Sequence, residues 1–295
     1  MNVYHTKTIY PLKHHDVILN ELCDYLVNKY NANLITSNQI IELFSSSITV
    51  GDCSLLIEDT ETDAFKGITF ADNPYLFLPF FKNRNNPNDI LLVSQYDEKE
   101  IASADYQCKL KKSIYVPLSP NIDLDYYYHK RQEIKEYKDK IYFRGNVRGC
   151  GRNSITLLES SSYFEGGHSI DMIKYFDEVI NYKIGLSIPG VGEFCYRDIE
   201  YMGMGIPMIK FQYINELYYP LIPNYHYISI DRMGDFPSER NGGPEYINAY
   251  IKRFLEVKDD KEFLEFISKN AREYYVKYLH PSIRLHNVLD ILELN

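Results

Sequence analysis

Two stretches of this chain set arginines inside glycine-bearing turns, a combination suited to holding an anion. Pro189-Gly190-Val191-Gly192-Glu193 follows the apolar run Gly185-Leu186-Ser187-Ile188 and leads into a helical segment, Cys195 to Met204, whose first turns carry Arg197 and Glu200. Glycine lets the backbone turn sharply and lets a ligand come close. A helix opening there offers unpaired N–H groups and the positive end of its dipole. Arg197 adds a planar fork of donors that fits a diphosphate, and Glu200, one turn on, can accept from ribose hydroxyls. The helix stops at Gly203-Met204-Gly205, and Ile206-Pro207-Met208-Ile209 re-enters a sheet. Upstream, Ile141-Tyr142-Phe143 runs into Arg144-Gly145-Asn146-Val147-Arg148-Gly149-Cys150-Gly151-Arg152 and then a helix from Asn153 to Ser160. Two such turns, both basic in an acidic protein, point to one shared anion. Its candidate ligands are Arg144, Gly145, Arg148, Arg152, Gly190, Gly192, Arg197 and Glu200. The competing reading is structural: the glycines serve turns only, and Arg197 pairs with a surface carboxylate.

A third stretch supplies a carboxylate. Gly67-Ile68-Thr69-Phe70-Ala71 is an apolar strand that delivers Asp72 to its C-terminal edge, just before Asn73-Pro74. Open α/β sheets bind ligands at the carboxyl ends of their strands, so Asp72 is placed where a catalytic base would sit. The alternative is an Asp that caps the turn. Asp123-Leu124-Asp125 has the D-x-D form of some divalent-metal sites, but it precedes a helical run, Tyr126 to Lys138, where capping is the commoner use. No metal site is assigned on it.

The elements that must position these groups alternate. Residues 16 to 30 place Ile18, Leu19, Leu22, Leu26 and Tyr30 on one helical stripe. Asn33 to Ile35 reads as a strand, and Thr36 with Gln39 has capping-box spacing for a helix through Phe44. Strand-like runs follow at Ser54 to Asp63, Asp89 to Ser94 and Ser113 to Leu118, and helices at Glu245 to Val257, Lys261 to Leu279 and Ser282 to Leu294. Phe263, Phe266, Ile267, Tyr274 and Tyr278 form the stripe expected to face the core. His226, among tyrosines, is expected to be a satisfied buried histidine. The alternation predicts an α/β fold with doubly wound sheets in two domains, 1–130 and 131–280, with a last helix in 281–295 crossing back onto the first.

Composition narrows the partners. The chain has 295 residues, 45% of them apolar, enough for well-formed cores. A net charge of −9 argues against nucleic acid as the main partner. Five cysteines at no motif spacing are expected to be free thiols in a reducing compartment. No apolar run is long enough to span a bilayer, and the amino terminus has no signal-peptide pattern. A cytoplasmic protein is expected.

The residues also carry a resemblance. FRGNVRGCGR at 143–152, IPGVGEFCYRDIEYMGMGIPMI at 188–209 and NELYYPLIPNYHYISI at 215–230 resemble the nucleotide-binding half of the capsule-associated and protein O-glucosyltransferase group, the Rumi-like enzymes. RDIEYMGMGIPMI is also similar to exostosin-type transferases. The likeness covers roughly residues 137 to 235. It implies a GT-B arrangement, two Rossmann-like domains facing a cleft, and an inverting, metal-independent transfer from a UDP-sugar, xylose or glucose being the donors it favours. No cofactor is implied beyond the donor itself, and the acceptor expected is a glycan or glycoconjugate. Arg144, Gly145 and Arg148 match the family's F-R-G turn, and Arg197 its later arginine, all implied to meet UDP. Asp72 in FADNP resembles the aspartate of the family's R-D-x-P segment, with alanine replacing the arginine and asparagine before the proline. A catalytically inactive nucleotide- or glycan-binding protein of the same fold is the rival class. A nucleotide-sugar epimerase or dehydrogenase is disfavoured, because no G-x-G-x-x-G follows the first strand.

Overall fold

The structure, a computed structural model, describes residues 2–5, 13–30, 33–35, 53–59, 64–71, 90–93, 109–112, 122–145, 154–190, 193–213, 217–234 and 243–292. The chain divides into two compact units: residues 1–120 with 215–219 and 281–295, and residues 121–214 with 220–280. Both are α/β.

The first unit holds β1 (Asn2–His5), α1 (Lys13–Tyr30), β2 (Asn33–Ile35), β3 (Cys53–Asp59), β4 (Ala64–Ala71), β5 (Ile90–Val93) and β6 (Lys109–Lys112). They form one sheet in the order β2-β1-β3-β4-β5-β6. The sheet is mixed, which corrects the plain doubly wound expectation: β3 runs antiparallel to both β1 and β4, while β1/β2, β4/β5 and β5/β6 are parallel pairs. The physical reason is chain length. β3 ends at Asp59 and β4 begins at Ala64, a gap that closes a hairpin and is far too short for a crossover helix. β1 and β6 were not expected from sequence. The helix expected over 36–44 and the strand over 113–118 lie outside the described residues. In α1, Leu22, Cys23 and Leu26 are buried, continuing the apolar stripe. The last helix, α8 (Pro281–Leu292), belongs to this unit and packs on α1, with Arg284 Nε donating to Glu21 Oε2 at 2.9 Å.

The second unit holds α2 (Leu124–Gln132), β7 (Lys138–Gly145), α3 (Ser154–Leu158), β8 (Phe164–His168), α4 (Met172–Val179), β9 (Tyr182–Leu186), α5 (Tyr196–Met204), β10 (Met208–Phe211), β11 (Ile228–Ile230), α6 (Pro244–Val257) and α7 (Lys261–Tyr274), which ends in a π-helical turn, Tyr275–Leu279. Its sheet is wholly parallel, in the order β11-β10-β9-β7-β8. Ile141, Phe143, Ile184, Leu186, Ile209, Phe211 and Ile228 from the strands join Ile155, Leu158, Tyr250, Phe254 and Ile267 from the helices in one buried core. Near-continuous apolar strands of this kind are what a sheet covered on both faces requires.

Helix ends follow local chemistry. Asp123, Asp171 and Asp260 cap α2, α4 and α7 through their carboxylates. Gly205, at φ 63°, closes α5 in the left-handed conformation. α2 is shorter than expected because the chain must turn by Lys138 to enter β7. The buried stripe of α7 is Leu264, Ile267, Ala271 and Tyr274, while Phe266 is exposed. The expected stripe was therefore out of phase by about one residue at its start. His226 is buried and its Nδ1 accepts from Ile222 N at 2.8 Å. Burial pulls its pKa down to about 4, so the ring is neutral. Among the described residues, no helix is long and apolar enough to cross a membrane.

Candidate anion site at the sheet switch point

In the second unit the chain leaves β7 for β8 on one side and returns to β9 on the other, so the direction of winding reverses between β7 and β9. In parallel sheets of this strand order, that reversal opens a crevice at the carboxyl ends of the two strands. Both predicted turns start there. β7 ends at Gly145, and β9 ends at Leu186, one residue before the run to Gly190.

Arg197 joins the two. It is the second residue of α5, and its Nη2 donates across the crevice to the Arg144 carbonyl at the end of β7. Its guanidinium lies over the Phe143 ring, with Cζ 4.1 Å from the centroid. Among the described residues, its buried Nε has no hydrogen-bond partner. No carboxylate makes an ion pair with Arg197 among the described residues, unlike the structural alternative raised from sequence. Arg144 is different: its Nε donates to Glu178 Oε2 at 2.8 Å, and that oxygen also accepts from Tyr142 Oη at 2.9 Å. Nη1 donates to the His168 carbonyl at 3.4 Å. Part of the Arg144 fork is thus held by protein.

Glu200, one turn further along α5, accepts from Tyr175 Oη at 3.0 Å. Burial pushes its carboxyl above the ordinary range, against the opposing pull of Arg197 and of the Tyr175 hydroxyl. Gly145 is buried at the strand end. Gly190 N–H donates to Cys195 Sγ at 3.1 Å, so that amide serves the turn itself. Arg148, Arg152, Gly192 and Asp72 lie outside the described residues.

Beneath the second turn is a frame that sequence reasoning missed. Asp198, fully buried, takes four donors: the Ser187 hydroxyl, Cys195 N at 2.7 Å, Lys210 Nζ at 3.0 Å and Tyr213 Oη at 3.0 Å. Lys210 Nζ also donates to the Glu193 carbonyl, and lies 3.4 Å from Ser187 Oγ. The Glu193 carboxylate, 1% exposed, meets Arg232 Nη1 at 2.7 Å, and the same nitrogen donates to the Gln212 carbonyl at 2.9 Å. The chain just past β9, β10 and β11 is thereby tied to the turn that precedes α5. The available sequence signals were weak: an acid at the third position of a helix and a lysine inside a short apolar strand.

Asp123 caps α2 through Tyr126 N at 2.9 Å. Asp125 pairs with Arg272 and lies 3.1 Å from His280 Nε2; burial alone would raise its carboxyl, but Arg272 and then His280 hold it below the usual range. Among the described residues, no three His, Cys, Asp or Glu side chains form a metal-holding group. A cavity of about 690 Å³ opens at the other, amino-terminal edge of this sheet, lined by Arg131, Asp139, Lys183, Lys258 and Lys261 among others. Asp139 takes Lys183 at 2.7 Å and Lys258 at 3.2 Å, and the cavity lies at the ends of β7 and β9 opposite the two turns.

No protein-family model matches the chain, and no curated protein matches it. Solved structures do. TarM of S. aureus is 10% identical over 81% of this chain and 63% of its own, with a TM-score of 0.35. Anabaena HepE in complex with UDP and glucose is 9% identical over 77% of this chain and 71% of its own, TM-score 0.47. The pneumococcal O-GlcNAc transferase GtfA, in complex with UDP and GlcNAc, is 14% identical over 75% of this chain and 47% of its own, TM-score 0.41. The chain thus spans less than two thirds of the TarM and GtfA structures' own length.

Proposed function

We propose that the chain is a GT-B glycosyltransferase that takes a UDP-sugar at the β7/β9 switch point and transfers the sugar to a hydroxyl of a glycan or glycoconjugate, with inversion and without a metal ion. The observation that carries the reading is Arg197. Its guanidinium leaves the N-terminus of α5, spans the crevice to the end of β7 and keeps a buried N–H with no partner among the described residues. An anion at that point would meet this fork, the helix dipole and both glycine turns together. The resemblance of 143–152 and 188–209 to the Rumi-like enzymes supports UDP as the nucleotide, and xylose or glucose as the sugar.

In this mechanism the acceptor oxygen forms the bond to the anomeric carbon, Asp72 takes its proton, and the bond to the β-phosphate oxygen breaks, its electron pair leaving with UDP. Arg144, Arg148 and Arg197 meet the charge that grows on that phosphate, a role worth about 3 kcal/mol per well-aimed donor. Glu200 accepts from the ribose. The free thiol at Cys23 fits the cytosolic setting proposed.

A thermal-shift panel of UDP-, GDP- and CMP-sugars, followed by a hydrolysis assay on the best donor, tests the reading. UDP-sugars should give the largest shift and should be turned over in EDTA, and Asp72→Asn should abolish turnover while leaving UDP binding intact. Turnover that collapses in EDTA and returns with manganese would overturn the metal-free mechanism. Binding of UDP with no turnover from any UDP-sugar would make the chain a binding protein.

A further inference from the structure

The buried pair of Lys210 and Asp198 lies behind the candidate anion site, and an ion pair in such a place calls for a reason. Buried pairs are commonly no more stabilising than apolar residues of the same volume. Here one member is fixed by helix geometry: Asp198 is the third residue of α5, where it accepts from Cys195 N at 2.7 Å to close the capping box. That places a carboxylate in the same helical turn as Arg197, where its charge opposes any anion drawn to the helix end. Lys210 Nζ, 3.0 Å from Asp198 Oδ2 and itself buried, supplies the opposite charge. The same ammonium donates to the Glu193 carbonyl, inside the turn that leads to α5.

We infer that Lys210 is a positioning residue for phosphate recognition: it cancels the Asp198 charge beneath the helix N-terminus and holds the Glu193 turn in place, without touching the ligand. The inference rests on the UDP-site reading given above. It differs from a packing role in a measurable way, because cancelling a charge affects a phosphorylated ligand and leaves a neutral one alone.

The experiment titrates UDP and uridine into the full chain and into Lys210→Met, Asp198→Asn and the double variant by calorimetry. Lys210→Met should weaken UDP on the order of tenfold or more, as one uncompensated charge near a phosphate dictates, with uridine changed less than about twofold. The double variant, with neither charge, should recover most of the UDP affinity. Asp198→Asn, which leaves the ammonium in excess, should bind UDP at least as tightly as the parent. Equal losses for UDP and uridine, or no recovery in the double variant, would overturn the inference. Where Lys210→Met yields no folded protein, Asp198→Asn and the double variant decide, and weakened UDP in both would overturn it. A parent chain that binds no UDP rejects the donor reading separately; pyrophosphate titrated into the same proteins then tests the charge balance, and a parent that binds neither anion overturns both.

Discussion

Asp198→Ala should have a large effect on the stability of the second unit. The carboxylate is fully buried, and its Lys210 partner is 2% exposed. Removing one side of such a pair strands the other charge, at a cost of about 3–5 kcal/mol. Cys195 N, the Ser187 hydroxyl and Tyr213 Oη lose their acceptor as well, but these losses overlap with the first, and about 4 kcal/mol is a fair total. For a unit of this size each kcal/mol moves Tm by about 2–4 °C, so the variant should melt about 8–16 °C lower. Urea unfolding followed by far-UV circular dichroism gives the free energy directly. Asp198→Asn/Lys210→Met, in which no ion is stranded, should regain most of the loss. The reasoning is refuted if Asp198→Ala unfolds within about 1 kcal/mol of the parent, or if the double variant is no more stable than the single one.

Three further outcomes follow from individual groups. Burial raises the Glu200 carboxyl in the folded state, so the unfolded chain loses that proton first and stability falls as pH rises above the ordinary value of 4.5; Glu200→Gln should raise Tm at pH 7, show no gain below pH 4, and weaken UDP binding, whereas an unchanged Tm at pH 7 would contradict the burial argument. His226 has a folded value near 4 against an ordinary 6.5, so its contribution is complete above pH 6.5 and is lost as pH falls toward 4. The span corresponds to at most about 3 kcal/mol, and about half that with residual hydration of the ring; His226→Asn should flatten the stability profile over that window. Gly166, at φ 146°, faces β7 so closely that an added Cβ would lie 1.7 Å from the Phe143 carbonyl oxygen. Gly166→Ala should therefore displace β8 and lower Tm by several degrees or more, and a normal melt would show that β7 and β8 are not paired as described.

The second unit was largely legible in its sequence because its signals are local. Gly205 marks the left-handed end of α5, Asp123 caps α2, and Arg144 and Arg197 stand beside turns that start at strand ends. What brings the arginines together is the strand order, which puts β9 beside β7 instead of β8. Single-sequence patterns do not encode that order, although the resemblance implied it. The Asp198–Lys210 frame was missed because its members come from a helix and a strand separated by a turn, and a lysine in a short apolar strand reads as a solvent-facing residue. In the first unit, the short gap between Asp59 and Ala64 is the signal for an antiparallel β3, whereas the alternation of strand and helix points to a parallel one. Phe266 shows the remaining limit: an aromatic at nearly helical spacing was assigned to the core, and the phase that decides burial belongs to Leu264 and Ile267.

Two glycine turns are expected to meet one phosphate group, and a double-mutant cycle on UDP affinity measures that directly. Arg197→Ala, Arg144→Ala and the double variant are titrated with UDP by calorimetry. If both side chains serve the same pyrophosphate, each single loss weakens binding, by about 1.5–3 kcal/mol for Arg197, and the double variant loses less than the sum by at least about 0.5 kcal/mol. Strictly additive losses, or a parent protein to which UDP does not bind, would contradict it.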